Sequence, residues 1–101
     1  MEYGTVKIGY SRDVATITLN QPENLNPLGL TMCHDLIQAC DEVERSGMAR
    51  VLVFAGAGRS FSAGANLKDV LETAELRPTA QEPIVRLWDE MILRVRNVEL
   101  P

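Results

Sequence analysis

The fold is indicated most clearly by two neighbouring stretches, the run Val51-Leu-Val-Phe-Ala-Gly56 and the segment Arg59-Ser-Phe-Ser-Ala-Gly-Ala-Asn-Leu-Lys-Asp69. The first run is short and apolar, which predicts a strand near 51–55 that is buried on both faces of a sheet covered by helices. The second is a loop of small residues that leads into a helix near 66–75, with Asn66 as its N-cap. Unpaired backbone N–H groups and the positive end of the helix dipole meet at such a helix start. This segment can therefore hold a negative charge.

The remaining segments alternate between strand and helix patterns. Apolar residues alternate with polar ones before and after Arg12-Asp13, which predicts a hairpin. Apolar residues at helical spacing predict two longer helices, the first of which ends at Ser46-Gly47. The fold class is therefore α/β. The predicted elements are strands near 5–10, 14–19 and 51–55, and helices near 27–46, 66–75 and 84–98.

The segment 20–27 contains two prolines and three asparagines, which interrupt any regular pattern and predict a loop. Asn26 suits the N-cap of the following helix, because an asparagine side chain can accept a hydrogen bond from an unpaired backbone N–H. Pro27 suits the first helical position, where its missing N–H costs nothing. We therefore expect the first long helix to begin at Pro27.

The bulk composition describes one small globular domain. The chain has 101 residues, of which 46% are hydrophobic and 24% are charged. A formal net charge of -4 argues against nucleic acid or an anionic lipid surface as a partner. No apolar run approaches the roughly 20 residues that span a bilayer, and the N-terminus does not resemble a signal peptide. We expect no nucleic-acid partner, no membrane and a cytoplasmic location.

Metal and nucleotide sites are disfavoured by spacing. Cys33 and Cys40 are seven residues apart on one predicted helix, too far for a disulfide, and His34 has no partner at zinc-site intervals. We expect two core-facing thiols and no metal. A dinucleotide-binding turn that starts at Gly56 would need glycine or alanine where Phe61 stands, and no glycine is followed by the lysine of a phosphate-binding loop.

The interpretation that survives is a site for a developing negative charge. A backbone N–H at Ala65 or nearby would suit a carbonyl oxygen that becomes an oxyanion, because a fixed dipole needs no reorganisation. The alternative is a tight strand-to-helix connection in which small residues serve packing alone. We expect the side chains of Trp88 and Met91 to pack in the core or at a subunit contact, not to line a ligand site. Seven carboxylates are expected on solvated helix faces: Asp41, Glu42, Glu44, Glu72, Glu75, Asp89 and Glu90.

Two separated segments resemble the crotonase superfamily, the enoyl-CoA hydratase and isomerase group. Val14-Ala-Thr-Ile-Thr-Leu-Asn-Gln-Pro-Glu-Asn-Leu-Asn-Pro-Leu28 is similar to that family's first strand and its Asn-Arg-Pro-Glu-x-x-Asn-Ala-Leu loop. Arg50-Val-Leu-Val-Phe-Ala-Gly-Ala-Gly-Arg-Ser-Phe-Ser-Ala-Gly-Ala-Asn-Leu-Lys68 is similar to its second signature. The resemblance implies a crotonase-like ββα spiral fold that is incomplete. Residues 1–101 would be the N-terminal part of a single such domain, with the C-terminal part absent.

The resemblance also implies a site and a reaction. Family members hold a thioester carbonyl between two backbone N–H groups, and residue matching assigns one of them to Ala65. An enolate is thereby stabilised, which permits water addition or a double-bond shift on an acyl-CoA substrate; coenzyme A is part of that substrate and no separate cofactor is implied. The full-length protein would be a homotrimer or a dimer of trimers. The implied substrate-binding residues are Asn24 and Leu25 at the CoA entrance, Ala63 near the adenine, Gly64 and Ala65, and Asn66, Leu67 and Lys68 along the acyl and pantetheine region.

Departures from the family pattern limit what this chain can do alone. Asn66 stands where Asp is usual, Gln21 replaces a basic residue, and Pro27 replaces alanine. The family's domain is more than twice this length, and its second N–H donor and catalytic glutamates would lie beyond Pro101. We expect the chain by itself to be inactive. A non-catalytic half-domain completed by another chain, and an unrelated small α/β domain, remain alternatives.

Overall fold

The computed structural model describes residues 2–65 and 82–100, which form two sheets and two α-helices. The elements are β1 Glu2–Tyr3, β2 Val6–Ser11, β3 Val14–Leu19, β4 Pro27–Leu28, α1 Leu30–Ser46, β5 Val51–Gly56, β6 Gly64–Ala65 and α2 Glu82–Arg96. The main sheet has four strands in the order β1-β2-β3-β5. Strands β1 to β3 are antiparallel neighbours, whereas β3 and β5 run parallel, with Val14 opposite Val51 and Leu19 opposite Gly56. A second, two-stranded sheet pairs β4 with β6.

The predicted hairpin is confirmed, and its alternation sets the inner face of the sheet. Arg12 adopts a left-handed conformation (φ 57°) in the turn. Ala15, Ile17 and Leu19 are buried along β3, while the residues between them are half-buried. Period-2 patterning therefore places one face of β3 in the core. The buried hydrophobic side chains are Val6, Ile8, Ala15, Ile17, Leu19, Met32, Cys33, Leu36, Ala39, Cys40, Val43, Ala49, Leu87 and Met91.

Helix α1 begins three residues later than the sequence predicts. Its first residue is Leu30, and its N-cap is Gly29 without a side-chain capping bond. The prediction that Asn26 caps the helix and Pro27 opens it is wrong. Asn26 has a left-handed backbone (φ 51°) and a side chain engaged elsewhere, so the chain runs on through the short strand β4 before it turns into the helix. The predicted C-terminus is confirmed, because Gly47 ends α1 with φ 65°.

Strand β5 is confirmed, but the prediction that both of its faces are buried is wrong. Val51 and Val53 are 49% and 42% exposed, whereas Leu52 and Phe54 on the other face pack against the core. Exposure alternates along β5, so in the described part of the chain only the face that carries Leu52 and Phe54 is covered. Short apolar runs do not distinguish one-sided from two-sided burial.

Helix α2 packs on α1 and extends the core. It spans Glu82–Arg96, against the predicted 84–98, and contributes the buried side chains of Leu87 and Met91. Arg94 donates to Asp41 at 2.6 Å and to Glu44, and these hydrogen bonds raise the pKa of Arg94. Asp41 and Glu44 thus differ from the expected solvated carboxylates, while Asp89 and Glu90 are exposed. The predicted helix near 66–75, with Glu72 and Glu75, lies outside the described residues.

The two thiols lie in the core, as predicted. Cys33 and Cys40 are both buried and form no disulfide, and burial raises the pKa of Cys40 to about 11. His34 is exposed on the opposite side of α1. Residues 2–65 and 82–100 contain no group of three or more His, Cys, Asp or Glu that could hold a metal ion. No helix within these ranges is long and apolar enough to span a membrane.

Candidate functional site

Two loops meet at the end of the main sheet where β3 and β5 stop. The first loop comprises residues 20–28 and follows β3; the second loop comprises residues 57–65 and follows β5. Because β3 and β5 are parallel neighbours, their carboxyl ends lie side by side and their loops are held together. Backbone bonding continues from the strands into the second loop, since the Ala57 N–H donates to the Leu19 carbonyl at 2.8 Å.

Asn26 joins the two loops from the inside. It is 0% exposed, and its side chain uses both of its polar atoms. Its Oδ1 accepts from the Gln21 N–H at 2.7 Å, which closes the first loop. Its Nδ2 donates to the carbonyls of Ala57 and Ser60 at 3.0 and 2.9 Å, which fixes the second loop. A buried amide with these partners satisfied acts as a cross-link between the segments.

The backbone of the first loop turns sharply at Leu25 and Asn26. Both residues are left-handed, with φ 61° and 51°, directly after a 3₁₀ turn over Pro22–Asn24. Asparagine tolerates this conformation well, whereas a leucine there is strained. The turn directs the Leu25 carbonyl to the second loop, where it accepts from the Ala63 N–H at 2.8 Å. Local strain is thus offset by a contact between the loops.

Ser62 adds a second bridge, next to the β4–β6 pair. Its hydroxyl donates to the Asn26 carbonyl at 2.7 Å and accepts from the Gly64 N–H at 3.0 Å. One residue further, the loops pair as parallel strands, with Pro27 opposite Gly64 and Leu28 opposite Ala65. The position of Ala65 is therefore fixed by Leu28, which lies opposite it, and by the preceding Gly64, which is bonded to Ser62.

Glycines allow the close approach of the loops. A Cβ on Gly56 would lie 2.4 Å from the Phe61 Cα, so only glycine fits there. Gly58 has φ 81°, and a Cβ would meet Pro22 at 2.7 Å. Gly64 also has a positive φ, 89°, but a Cβ there would meet no atom of residues 2–65 and 82–100 within 4 Å. This position therefore needs glycine for its conformation and not for lack of space among the described residues.

Helix α2 supports β4 from the core side. The Trp88 indole N–H donates to the Leu28 carbonyl at 2.9 Å, and the Cys33 thiol contacts the same carbonyl at 3.8 Å. Trp88 is half-buried and packs against the core, as the sequence predicts. The helix that lies farthest along the chain thereby fixes the strand that pairs with Ala65.

The polar groups of the two loops are suited to hydrogen bonding and not to general acid or base catalysis. Their charged side chains are those of Glu23 and Arg59, and both residues are exposed. The remaining polar groups are backbone amides and the side chains of the loop residues, of which Asn26 and Ser62 bind the two loops together. This arrangement can hold a carbonyl or anionic oxygen, but the described residues supply no buried general acid or base.

The structure brings most of the predicted site residues together. Asn24 is exposed at the end of the 3₁₀ turn, Leu25 follows it, and Ala63, Gly64 and Ala65 lie on the adjoining loop. The other predicted residues, Asn66, Leu67 and Lys68, lie outside the described residues. The sequence prediction missed the roles of Asn26 and Ser62, because each side chain binds a loop more than thirty residues away and no local pattern marks such a partner.

Comparison with known proteins assigns this chain to a family. Residues 9–101 match the family model for enoyl-CoA hydratase/isomerase. A probable enoyl-CoA hydratase of Mycobacterium tuberculosis H37Rv is 37% identical over 93 residues, which cover 88% of this chain and 33% of that protein. The 1,2-epoxyphenylacetyl-CoA isomerase of Escherichia coli K12 is 33% identical over 95 residues, which cover 89% and 35%. This chain therefore spans about a third of the length of the curated relatives it matches.

Solved structures agree on the fold. An enoyl-CoA hydratase/isomerase from Xanthobacter autotrophicus Py2 superposes with a TM-score of 0.88 at 29% identity, over 99% of this chain and 37% of that one. An enoyl-CoA hydratase from Thermoplasma volcanium GSS1 superposes with a TM-score of 0.83 at 30% identity, over 96% and 38%. Sequence match and shared fold lead to the same conclusion: the chain belongs to the enoyl-CoA hydratase/isomerase family and carries part of a crotonase fold.

Proposed function

We propose that this chain binds an acyl-CoA and that the backbone N–H of Ala65 donates a hydrogen bond to the thioester carbonyl oxygen. The reaction served is the hydration or double-bond shift of an enoyl-CoA, in an enoyl-CoA hydratase/isomerase-type enzyme. Family membership supports the reaction class. The observation that carries the role of Ala65 is the pairing of β4 with β6, because it sets the direction of this N–H.

The two N–H groups that precede Ala65 are already engaged within the loops. Ala63 donates to the Leu25 carbonyl, and Gly64 donates to Ser62 Oγ. Pro27, opposite Gly64, has no N–H, so their pairing has to use the backbone polar groups of Gly64. Successive residues of a strand direct these groups to opposite sides, so the N–H of Ala65 is directed away from β4.

An N–H in this position suits the chemistry of an enolate. Charge that develops on a thioester oxygen is stabilised by a donor that is already in place, and a single such donor is typically worth a factor of about 10²–10³ in turnover. No described residue lies within 4 Å of a Cβ placed on Gly64, and the thioester would lie on this side of the loop. Asn24 and Leu25 would then line the CoA entrance, with Ala63 near the adenine and Asn66, Leu67 and Lys68 along the acyl and pantetheine region.

The proposal assigns this chain binding and polarisation, and assigns proton transfer to other residues. The charged groups of the two loops, Glu23 and Arg59, are both exposed and unsuited to a general base inside a site. We therefore expect the isolated 101-residue chain to bind crotonyl-CoA without hydrating it. The catalytic carboxylates would then lie outside these two loops.

Calorimetric titration with two ligands tests the binding role. Crotonyl-CoA carries the thioester carbonyl, whereas S-butyl-CoA is a thioether without it. We expect crotonyl-CoA to bind about fivefold more tightly, the value of one hydrogen bond of about 1 kcal/mol. The Ala65→Pro variant lacks the N–H and should bind both ligands equally, with circular dichroism as the check on folding. If neither ligand binds the unsubstituted chain, acyl-CoA binding is wrong.

Backbone NMR gives a second reading that does not depend on a substituted chain. The Ala65 amide proton should shift downfield on addition of crotonyl-CoA and much less on addition of the thioether. Equal shifts with both ligands would contradict a hydrogen bond to the carbonyl, even if both ligands bind.

A second function is favoured by the outer face of the main sheet. Val51 and Val53 are 49% and 42% exposed on β5, an edge strand in the described part of the chain. A half-domain that is completed by another polypeptide, and that does no chemistry itself, would cover this face. Copurification of a defined second chain, together with failure of crotonyl-CoA to bind the complex, would favour this function over the first.

A further inference from the structure

We propose that Ser62 is the positioning residue for the Ala65 N–H: its hydroxyl bridges the buried Asn26 and the Gly64 amide and so holds the donor in the direction that the pairing of β4 with β6 gives it. The inference rests on the proposed function of Ala65. Ser62 contacts neither of the atoms that would react, so its role is exerted through the backbone of the second loop.

The hydroxyl of Ser62 has a fixed orientation because it makes two hydrogen bonds. It donates its only proton to the Asn26 carbonyl at 2.7 Å and accepts from the Gly64 N–H at 3.0 Å. A hydroxyl otherwise rotates to suit its surroundings, but one donor bond and one acceptor bond fix it. The bridge therefore transmits the position of Asn26 to Gly64.

The anchor of this bridge is rigid. Asn26 is 0% exposed, and its side chain holds Gln21 in the first loop and Ala57 and Ser60 in the second. The carbonyl that receives the Ser62 proton is thus tied to both loops. A hydrogen bond to a fixed, buried group restricts its donor more than a bond to a mobile surface group does.

The residue that the bridge restrains is a glycine, the residue type with the most backbone freedom. Gly64 has φ 89°, and no heavy atom of the described residues lies within 4 Å of the position of a Cβ. Within that part of the chain, its backbone is restrained by the pairing with β4 and by the bond to Ser62. A rotation about Gly64 would turn the next peptide plane, which carries the Ala65 N–H. The bond to Ser62 Oγ opposes that rotation.

Orientation of the donor affects one part of the ligand. The thioester oxygen needs the Ala65 N–H at a defined angle, because hydrogen bonds weaken steeply as the angle at the hydrogen closes. The nucleotide and pantetheine parts do not depend on that angle. Loss of the Ser62 hydroxyl should thus reduce the preference for a thioester over a thioether and leave thioether affinity nearly unchanged.

The test compares Ser62→Ala, Ser62→Thr and the control Ser11→Ala in the full chain. Threonine keeps the hydroxyl, whereas Ser11 is exposed and pairs with Val14 at the end of β3 opposite to the loops. Amide hydrogen exchange is measured first, without ligand. We expect Gly64 to exchange about fivefold faster in Ser62→Ala, the effect of losing one hydrogen bond of about 1 kcal/mol, and at the unsubstituted rate in the other two proteins.

Titration with crotonyl-CoA and S-butyl-CoA follows on the same proteins. The thioester preference of about fivefold should fall below about twofold in Ser62→Ala, with unchanged thioether affinity, and should return in Ser62→Thr. A parallel loss of both affinities would indicate a merely structural role and overturn the proposal.

The outcomes separate the positioning role from the proposed function. Unchanged Gly64 exchange in Ser62→Ala overturns the bridge, whatever the ligands do. If Gly64 exchanges faster in Ser62→Ala but the unsubstituted chain binds crotonyl-CoA and S-butyl-CoA equally, the role of Ala65 is overturned. The positioning role of Ser62 is then overturned with it. Faster Gly64 exchange together with a selective, threonine-rescued loss of preference supports both.

Discussion

Replacing Asn26 with alanine should destabilise the chain far more than its small change in volume suggests. The substitution removes three side-chain hydrogen bonds, one to Gln21 and two to the carbonyls of Ala57 and Ser60. It also places an alanine at φ 51°, where asparagine is tolerated and alanine is not. Both effects act at a residue that is 0% exposed.

The expected loss is about 4 kcal/mol. Each of the three hydrogen bonds contributes about 1 kcal/mol net, and more if its partner is left unpaired away from water. The left-handed conformation costs an alanine about 1 kcal/mol more. With a urea slope of about 1.5 kcal/mol/M, the unfolding midpoint should fall by about 2.5 M. Because whole domains are stable by about 5–15 kcal/mol, the variant should be close to unfolded in buffer.

Equilibrium unfolding in urea, followed by the fluorescence of Trp88, measures this difference. Trp88 is the single tryptophan and donates to Leu28 in β4, so its emission reports on the site as well as the core. The matched control is Asn24→Ala, which changes an exposed asparagine of the same loop. We expect the control to stay within about 0.5 kcal/mol of the unsubstituted chain. Equal effects of the two substitutions would refute the role of Asn26 as a cross-link.

Three further predictions concern packing, the helix pair and the buried thiol. Gly56→Ala should cost about 2 kcal/mol or more, since its Cβ would lie 2.4 Å from backbone, whereas Gly9→Ala, with nothing within 4 Å, should not destabilise; thermal unfolding compares them. A double-mutant cycle of Arg94→Met and Asp41→Asn should give a coupling free energy of about 1 kcal/mol. The coupling should fall in high salt, because the side chain of Arg94 is 25% exposed and that of Asp41 is 46% exposed. Additive effects of the two substitutions would contradict an ion pair between these residues. Burial raises the pKa of Cys40 from 9.0 to about 11, so the unfolded chain loses this proton at lower pH than the folded chain. The free energy of unfolding should therefore fall as pH rises from about 9 to about 11, but not in Cys40→Ala. Parallel profiles of unfolding free energy against pH in the two proteins would refute this.

Local patterns were sufficient for most of the described elements. The period-2 alternation of β3, the helical spacing of α1 and Gly47 at its end are properties of neighbouring residues, and the structure confirms each. One-sided exposure of β5 was not predictable, because burial of an apolar strand depends on what covers it. The site role of Ala65 followed from family resemblance and stays a prediction.

The failure at Asn26 has a specific physical cause. Asparagine before proline satisfies the local requirements of a helix N-cap, and the sequence offers no local sign of a competing partner. The carbonyls that Asn26 binds belong to Ala57 and Ser60, more than thirty residues away. These distant partners become neighbours because β3 and β5 are parallel and adjacent. Tertiary contacts then outweigh the local capping preference.

The α/β class, the family and the segment that carries Ala65 can be predicted from the sequence alone, since these depend on patterns and motifs within short stretches of chain. How that segment is held depends on tertiary contacts. Asn26 and Ser62 join two loops that are far apart in sequence, and the pairing of β4 with β6 sets the direction of the Ala65 N–H. A hydrogen-bond donor works by its orientation, and orientation arises from contacts that a one-dimensional pattern does not contain.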